Sequence, residues 1–104
     1  MTLAFGSTRY LLCLLLVCGA SGALAGDMRN GQRLYATHCA GCHGPQGVAV
    51  MPQAPSFARG DRLAQPDPLL ANTIKSGRGP MPAFLGLLNE REILDVLSYI
   101  RTLR

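Results

Sequence analysis

The stretch Thr37-His38-Cys39-Ala40-Gly41-Cys42-His43-Gly44 sets two cysteines three residues apart with a histidine directly behind the second. Several chemistries use closely spaced cysteines, and three of them fit poorly. A disulfide across so short a loop removes little entropy from the unfolded chain and makes a weak brace. A structural zinc ion needs four Cys or His ligands; beyond residue 25 the chain offers only His38, Cys39, Cys42 and His43, crowded into six consecutive positions. One short loop does not spread four ligands to tetrahedral corners. A thioredoxin-like dithiol sits at a strand-to-helix junction of a βαβ unit, and no alternating β-branched run exists here.

The C-x-x-C-H order has its own logic as a c-type haem attachment site. Two thiols at this spacing reach the two vinyl groups on one edge of a porphyrin, and His43 then falls under the ring with its imidazole aimed at the iron. Cys39 and Cys42 are therefore the expected covalent anchors of one haem c, and His43 the expected first axial ligand.

The surroundings of the motif agree. Met1 to Arg9 carries one positive side chain and no acid, Tyr10 to Val17 is a short apolar run, and the segment from Ser21 closes on Ala23-Leu24-Ala25. This is the three-part pattern of a secretory signal peptide, with cleavage expected after about Ala25. A permanent membrane anchor would need roughly 20 apolar residues, and Leu11 to Val17 stops well short. Cys18 follows Val17, a poor fit to a lipoprotein site. The expected organisation is thus a cleaved leader over 1–25 and a single domain over 26–104, located in the periplasm.

Removing 25 residues from 104 leaves 79, near the lower limit at which an apolar core alone secures a fold. Cys13 and Cys18 leave with the leader, so no disulfide framework remains, and the haem is the missing interior. Nine basic and six acidic side chains survive cleavage, for a formal charge of +3 with no like-charge run. That is too sparse and scattered for a nucleic-acid surface.

On the haem motif, Gly31-x-x-x-Tyr35 before it, Met81 between Pro80 and Pro82, and a closing segment with Leu97-Ser98-Tyr99-Ile100, the region 26–104 resembles a small class I cytochrome c over essentially its whole length. The resemblance implies an all-α fold, three to four short helices and loops wrapped around one covalently bound haem. It also implies an electron carrier rather than an enzyme.

The residues can be read segment by segment. Asp27 to Thr37 predicts a helix capped by Asp27, with Met28, Gly31, Leu34 and Tyr35 recurring at helical spacing. Gly31 inside it costs about 1 kcal/mol relative to alanine; in the family a glycine here admits the final helix, and Gly31, Tyr35 and Tyr99 fit that crossing. Gly44 to Arg59, with Pro45, Pro52 and Pro55, predicts a loop. In the family a proline carbonyl in this loop orients the axial histidine; Pro55 and Pro52 are both candidates. Asp67-Pro68 predicts a helix start with Asp67 as cap, Leu69, Leu70 and Ile74 as its apolar face, and Gly77 as its end. Asn89 to Leu103 predicts the last helix, with an Asn89/Glu92 capping box and an apolar stripe through Ile93, Val96, Leu97, Ile100 and Leu103. Arg101 and Arg104 suit the dipole at its end.

For the sixth iron ligand, His38 stands beside the anchor and reads as a surface residue, Met28 belongs to the first helix, and Met51 lies in the loop expected on the histidine side. Met81 follows His43 by 38 positions, in Gly77-Arg78-Gly79-Pro80-Met81-Pro82-Ala83-Phe84. Its flanking prolines fix φ and remove backbone donors, which predicts an extended segment across the far face of the haem. The family ligand methionine occupies such a loop, so Met81 is the expected second axial ligand.

His/Met ligation raises the reduction potential relative to harder ligand pairs. The resulting expectation is a one-electron carrier between a respiratory donor and a terminal reductase or oxidase, with Arg59, Arg62, Lys75 and Arg78 as candidates to steer an acidic partner. The run from Pro55-Ser56-Phe57 through the Met81 loop to Glu92-Ile93-Leu94-Asp95-Val96 is similar to the small cytochromes of the c55X type that accompany dissimilatory haem nitrite reductase in denitrifying bacteria. This implies electron delivery to that reductase, or alternatively a part in maturing its haem. A gas-binding or peroxidase-like site with a labile sixth ligand is the enzymatic alternative.

Overall fold

The computed structural model describes residues 26–104, so the expected leader over 1–25 lies outside the described residues. Four helices follow in order: α1 Met28–His38, α2 Ala40–His43, α3 Asp67–Ser76 and α4 Glu90–Ile100, with a 3₁₀ turn over Phe57–Arg59. Among the described residues there is no β-strand, only isolated bridges at Arg78–Met81 and Leu85–Leu88. The architecture is all-α, as expected, in a class I cytochrome c arrangement.

Local chemistry explains the helix limits. Asp27 caps α1 by accepting hydrogen bonds from the Arg29 and Asn30 amides at 3.0 and 3.2 Å. Asn89 and Glu92 form the reciprocal box at the start of α4, at 2.8 and 3.1 Å. At α3 the expectation fails by one residue. Pro66 occupies the cap position without a side-chain cap, and Asp67 is already helical. The Asp67 carboxylate instead receives Arg101 Nε and Nη2 at 2.8 and 2.6 Å, while the same guanidinium donates to the Leu63 and Gln65 carbonyls. Arg101 therefore ties the end of α4 to the entry of α3. α4 also stops at Ile100 rather than Leu103, because the chain turns at 101–102.

The frame is the crossing of α1 over α4. A Cβ on Gly31 would lie 1.9 Å from the Asp95 carbonyl oxygen and 3.1 Å from Tyr99 Cβ, so only glycine permits the helices to approach this closely. Leu34 and Tyr35 of α1 pack with Ile93, Val96 and Leu97 of α4, and all but Leu34 are the most deeply buried side chains of the core. Tyr35 and Tyr99 meet edge to face at 5.3 Å, a favoured aromatic geometry. Met28, expected to pack in this helix, is 53% exposed.

A buried carboxylate braces the same crossing. Asp95, 3% exposed, accepts from the Asp27 amide at 2.7 Å and from Asn30 Nδ2 at 2.8 Å, with Arg91 Nε 3.5 Å away. Burying a carboxylate is costly unless it is so paired.

Candidate haem-binding site

Between this frame and the loops lies a cavity of about 330 Å³. Its walls are mostly apolar, with Phe57, Leu63, Leu70, Ile74, Phe84 and Leu97 among them, and into it face Cys39, Cys42, His43, Met51 and Met81. Both cysteines are free thiols. Among the described residues no three His, Cys, Asp or Glu side chains group into a metal-holding set. Burial, and then the neighbouring Cys42, push the Cys39 thiol up to about 11. A redox dithiol depends on a lowered value, the opposite of the direction at Cys39.

His43 closes the short helix α2, whose single turn brings the motif against the cavity wall. It is 8% exposed, and its Nδ1 sits 3.2 Å from the Pro55 carbonyl oxygen. Of the two candidate prolines, Pro55 is the one in place. Phe57 stacks on the imidazole at 4.7 Å with a 21° interplanar angle, and Tyr35 meets Phe57 edge-on at 6.4 Å. A continuous aromatic series, Tyr99–Tyr35–Phe57–His43, thus joins the helix crossing to the axial imidazole. The sequence reading did not foresee Phe57; the cue present was a lone aromatic two residues beyond Pro55.

The loop carrying Pro55 is fastened to the motif. Val50 and Met51 donate from their amides to the Cys42 carbonyl at 2.9 and 3.1 Å, Ala49 donates to Ser56 Oγ at 3.0 Å, and the Tyr35 hydroxyl donates to the Gly44 carbonyl at 2.7 Å. Burial, with Cys39 and Tyr99 nearby, pushes the Tyr35 phenol up to about 12 from its ordinary 10.0. Ser56 in turn donates its amide to Asp61 at 3.0 Å, and the Arg59 guanidinium beside Asp61, ahead of that amide, holds its carboxyl below the usual range.

Met81 is partly buried against the core and lines the cavity. The segment around it is not extended throughout, as the prolines suggested. Arg78 and Met81 exchange hydrogen bonds at 3.1 and 2.9 Å, closing a tight turn over Gly79-Pro80. Met51 also reaches the cavity, from the loop bonded to Cys42. His38 is exposed and touches Phe84 at 5.9 Å. Of the four candidate steering cations, Arg59 pairs with Asp61 and Lys75 with Glu90. Arg62 and Arg78 stand at the cavity wall.

Two free thiols at haem-attachment spacing, a buried imidazole oriented by a carbonyl, and thioethers facing one apolar cavity make this the pocket of a c-type haem protein. Residues 26–100 match the family model described as "Cytochrome C oxidase, cbb3-type, subunit III". The chain is 33% identical to cytochrome c6 of Thermosynechococcus vestitus over 90 residues, covering 83% of this chain and 79% of the relative. It is 32% identical to cytochrome c6 of Thermostichus vulcanus over 90 residues, with the same coverage of each. With cytochrome c6 of Gracilaria tenuistipitata var. liui the identity is 26% over 93 residues, 88% of this chain and 86% of the relative. The chain belongs to the cytochrome c family, as a small class I monohaem protein that carries electrons on one covalently attached haem c and exchanges them with redox partners. Among the described residues no helix is long and apolar enough to cross a membrane.

Proposed function

We propose that this protein is a periplasmic one-electron carrier whose haem is bound through thioethers from Cys39 and Cys42 and whose iron is held by His43 and Met81. The observation that carries the reading is that these four side chains face a single apolar cavity. Haem c, when bound, supplies a one-electron iron couple. The chain's own groups tune and protect it. The Pro55 carbonyl engages His43 Nδ1 and leaves Nε2 as the ligating nitrogen, which fixes the ring and raises its basicity. A thioether partner favours the reduced state and raises the potential. The apolar wall excludes water and disfavours the extra charge of the oxidised centre.

Met81 is preferred over Met51 because Met51 is tied through its amide to the Cys42 carbonyl, beside the imidazole, whereas Met81 belongs to a loop from a different part of the chain. Arg62 and Arg78 at the cavity wall steer an acidic partner by a field that salt weakens. Export follows from the leader pattern over 1–25, with cleavage after Ala25. The likeness to c55X-type cytochromes makes a dissimilatory haem nitrite reductase the acceptor of choice.

Stopped-flow mixing of the ferrous protein with such a reductase, at two ionic strengths, tests this. Rapid oxidation that slows with salt supports a carrier. No transfer above background overturns the acceptor assignment and favours a role in maturing the reductase haem. A ferrous form that binds carbon monoxide readily would contradict the closed His/Met site.

A further inference from the structure

We infer that Gly77 is the positioning residue for Met81: its missing side chain lets the loop 77–84 fold back on the end of α3 and hold the thioether at the cavity. The inference rests on Met81 as the axial sulfur and names what keeps it there.

The loop leaves α3 at Gly77, whose φ of 73° lies in the left-handed region. It returns where the Phe84 and Leu85 amides donate to the Ile74 and Lys75 carbonyls at 3.0 and 3.2 Å. Both acceptors belong to the last helical turn, whose carbonyls lack intrahelical donors. Between these ends, the Met81 amide donates to the Arg78 carbonyl and the Met81 carbonyl accepts from the Arg78 amide. All of these bonds are backbone to backbone, so how deeply the loop folds back depends on how closely the two backbones approach.

Gly77 sets that depth. A Cβ there would lie 2.7 Å from the Met81 carbonyl oxygen, 2.8 Å from the Ala83 nitrogen and 2.9 Å from the Pro82 carbonyl carbon. None of these atoms can swing aside as the tip of a long side chain does. The Met81 oxygen is also the acceptor that closes the Gly79-Pro80 turn, so displacing it breaks that bond and carries the sulfur away. Gly86 provides the contrast. Its φ is 85°, yet a Cβ there would meet nothing within 4 Å. Alanine at either glycine adds left-handed strain, and only at Gly77 does it add a collision with the Met81 backbone.

The test compares haem-loaded Gly77→Ala, Gly77→Asn and Gly86→Ala with wild type and Met81→Ala. The readouts are the weak far-red band of ferric methionine ligation, carbon monoxide uptake by the ferrous form, hydrogen exchange at the Met81 amide, and helical circular dichroism. With φ 73° and ψ 171° Gly77 adopts a backbone essentially reserved for glycine, so alanine and asparagine there carry both strain and the collision, and Gly86→Ala supplies positive-φ strain without the collision. Both Gly77 variants should lose the band and take up carbon monoxide at least about tenfold faster than wild type, a loop-opening shift of about 1.4 kcal/mol, with helical signal retained. Gly86→Ala should keep the band and stay inert.

A Gly77→Asn protein with wild-type band and inertness overturns the inference, as does a Gly86→Ala protein that behaves like Gly77→Ala. Failure of both Gly77 variants to give helical, haem-loaded protein also overturns it, since the glycine would then serve the whole fold. If Met81→Ala keeps the band, the ligand assignment is what falls. Accelerated exchange at Met81 in Gly77→Ala would then still support the loop geometry.

Discussion

The two loops that close the cavity are held in different ways. On the histidine side, the loop between α2 and the 3₁₀ turn adds side-chain ties to its backbone bonds with Cys42: Tyr35 to Gly44, Ser56 to Ala49, Asp61 to Ser56, and Phe57 stacked on His43. On the methionine side, the segment from Gly77 to Phe84 is secured by backbone bonds and a close approach at one glycine. The histidine side is continuous through Tyr35 with the α1–α4 crossing, the best-packed part of the protein. The methionine side is fastened to the end of a shorter helix. The contrast teaches that the His43 imidazole is oriented by contacts continuous with the helix crossing, whereas the proposed ligand Met81 lies on a loop tied to one helix end.

The largest effect comes from withholding the shared partner of both loops. Expressed without haem attachment, the chain should be unfolded and protease-sensitive, because its cavity is mostly apolar and 79 residues leave little other core. Limited proteolysis and far-ultraviolet circular dichroism check this, and a folded apoprotein would show that the frame stands alone.

Next in size is the ligand exchange. Met81→Ala should abolish the far-red band, lower the potential and admit carbon monoxide, while Met51→Ala should leave the spectrum intact; the reverse pattern would exchange their roles. Phe57→Ala then probes the histidine side. Loss of a buried aromatic costs about 3–5 kcal/mol, so chemical denaturation should show a stability loss of that order with the band retained. Loss of the band before loss of stability would erase the contrast between the loops.

The smallest effect is on pH. The Tyr35 phenol is raised from 10.0 to about 12 in the folded protein, so the fold favours the protonated form. The stability this contributes is complete below pH 10.0 and disappears as pH rises towards about 12. Tyr35→Phe should flatten that part of the pH–stability curve. It should also cost about 1–3 kcal/mol at neutral pH, by leaving the Gly44 carbonyl without its donor. An unchanged alkaline limb would mean that another group controls it.

What the sequence made legible was what local rules decide. The Asn89/Glu92 box, the Asp27 cap and the cavity-facing motif follow from residue type and spacing, whereas the glycine at the helix crossing is an expectation of the family resemblance. Pro55 emerged as one of two choices because a carbonyl's direction depends on the whole loop, not on the proline alone. Asp67 looked like a cap, since acid before proline is a common helix start, but the helix begins one residue earlier and a distant Arg101 claims the carboxylate. Asp95 gave no sign of burial: its hydrogen bonds from Asp27 and Asn30 come from about 65 positions away, beyond the reach of periodicity. Gly77 read correctly as a helix end, yet its closer constraint, the return of the Met81 backbone, is a tertiary contact.

The most direct test is the mass of the exported protein, intact and after digestion. The account predicts a chain beginning at Gly26 with the mass of one haem added, retained on the peptide that contains Cys39, Cys42 and His43. An exported product with both thiols unmodified would contradict it.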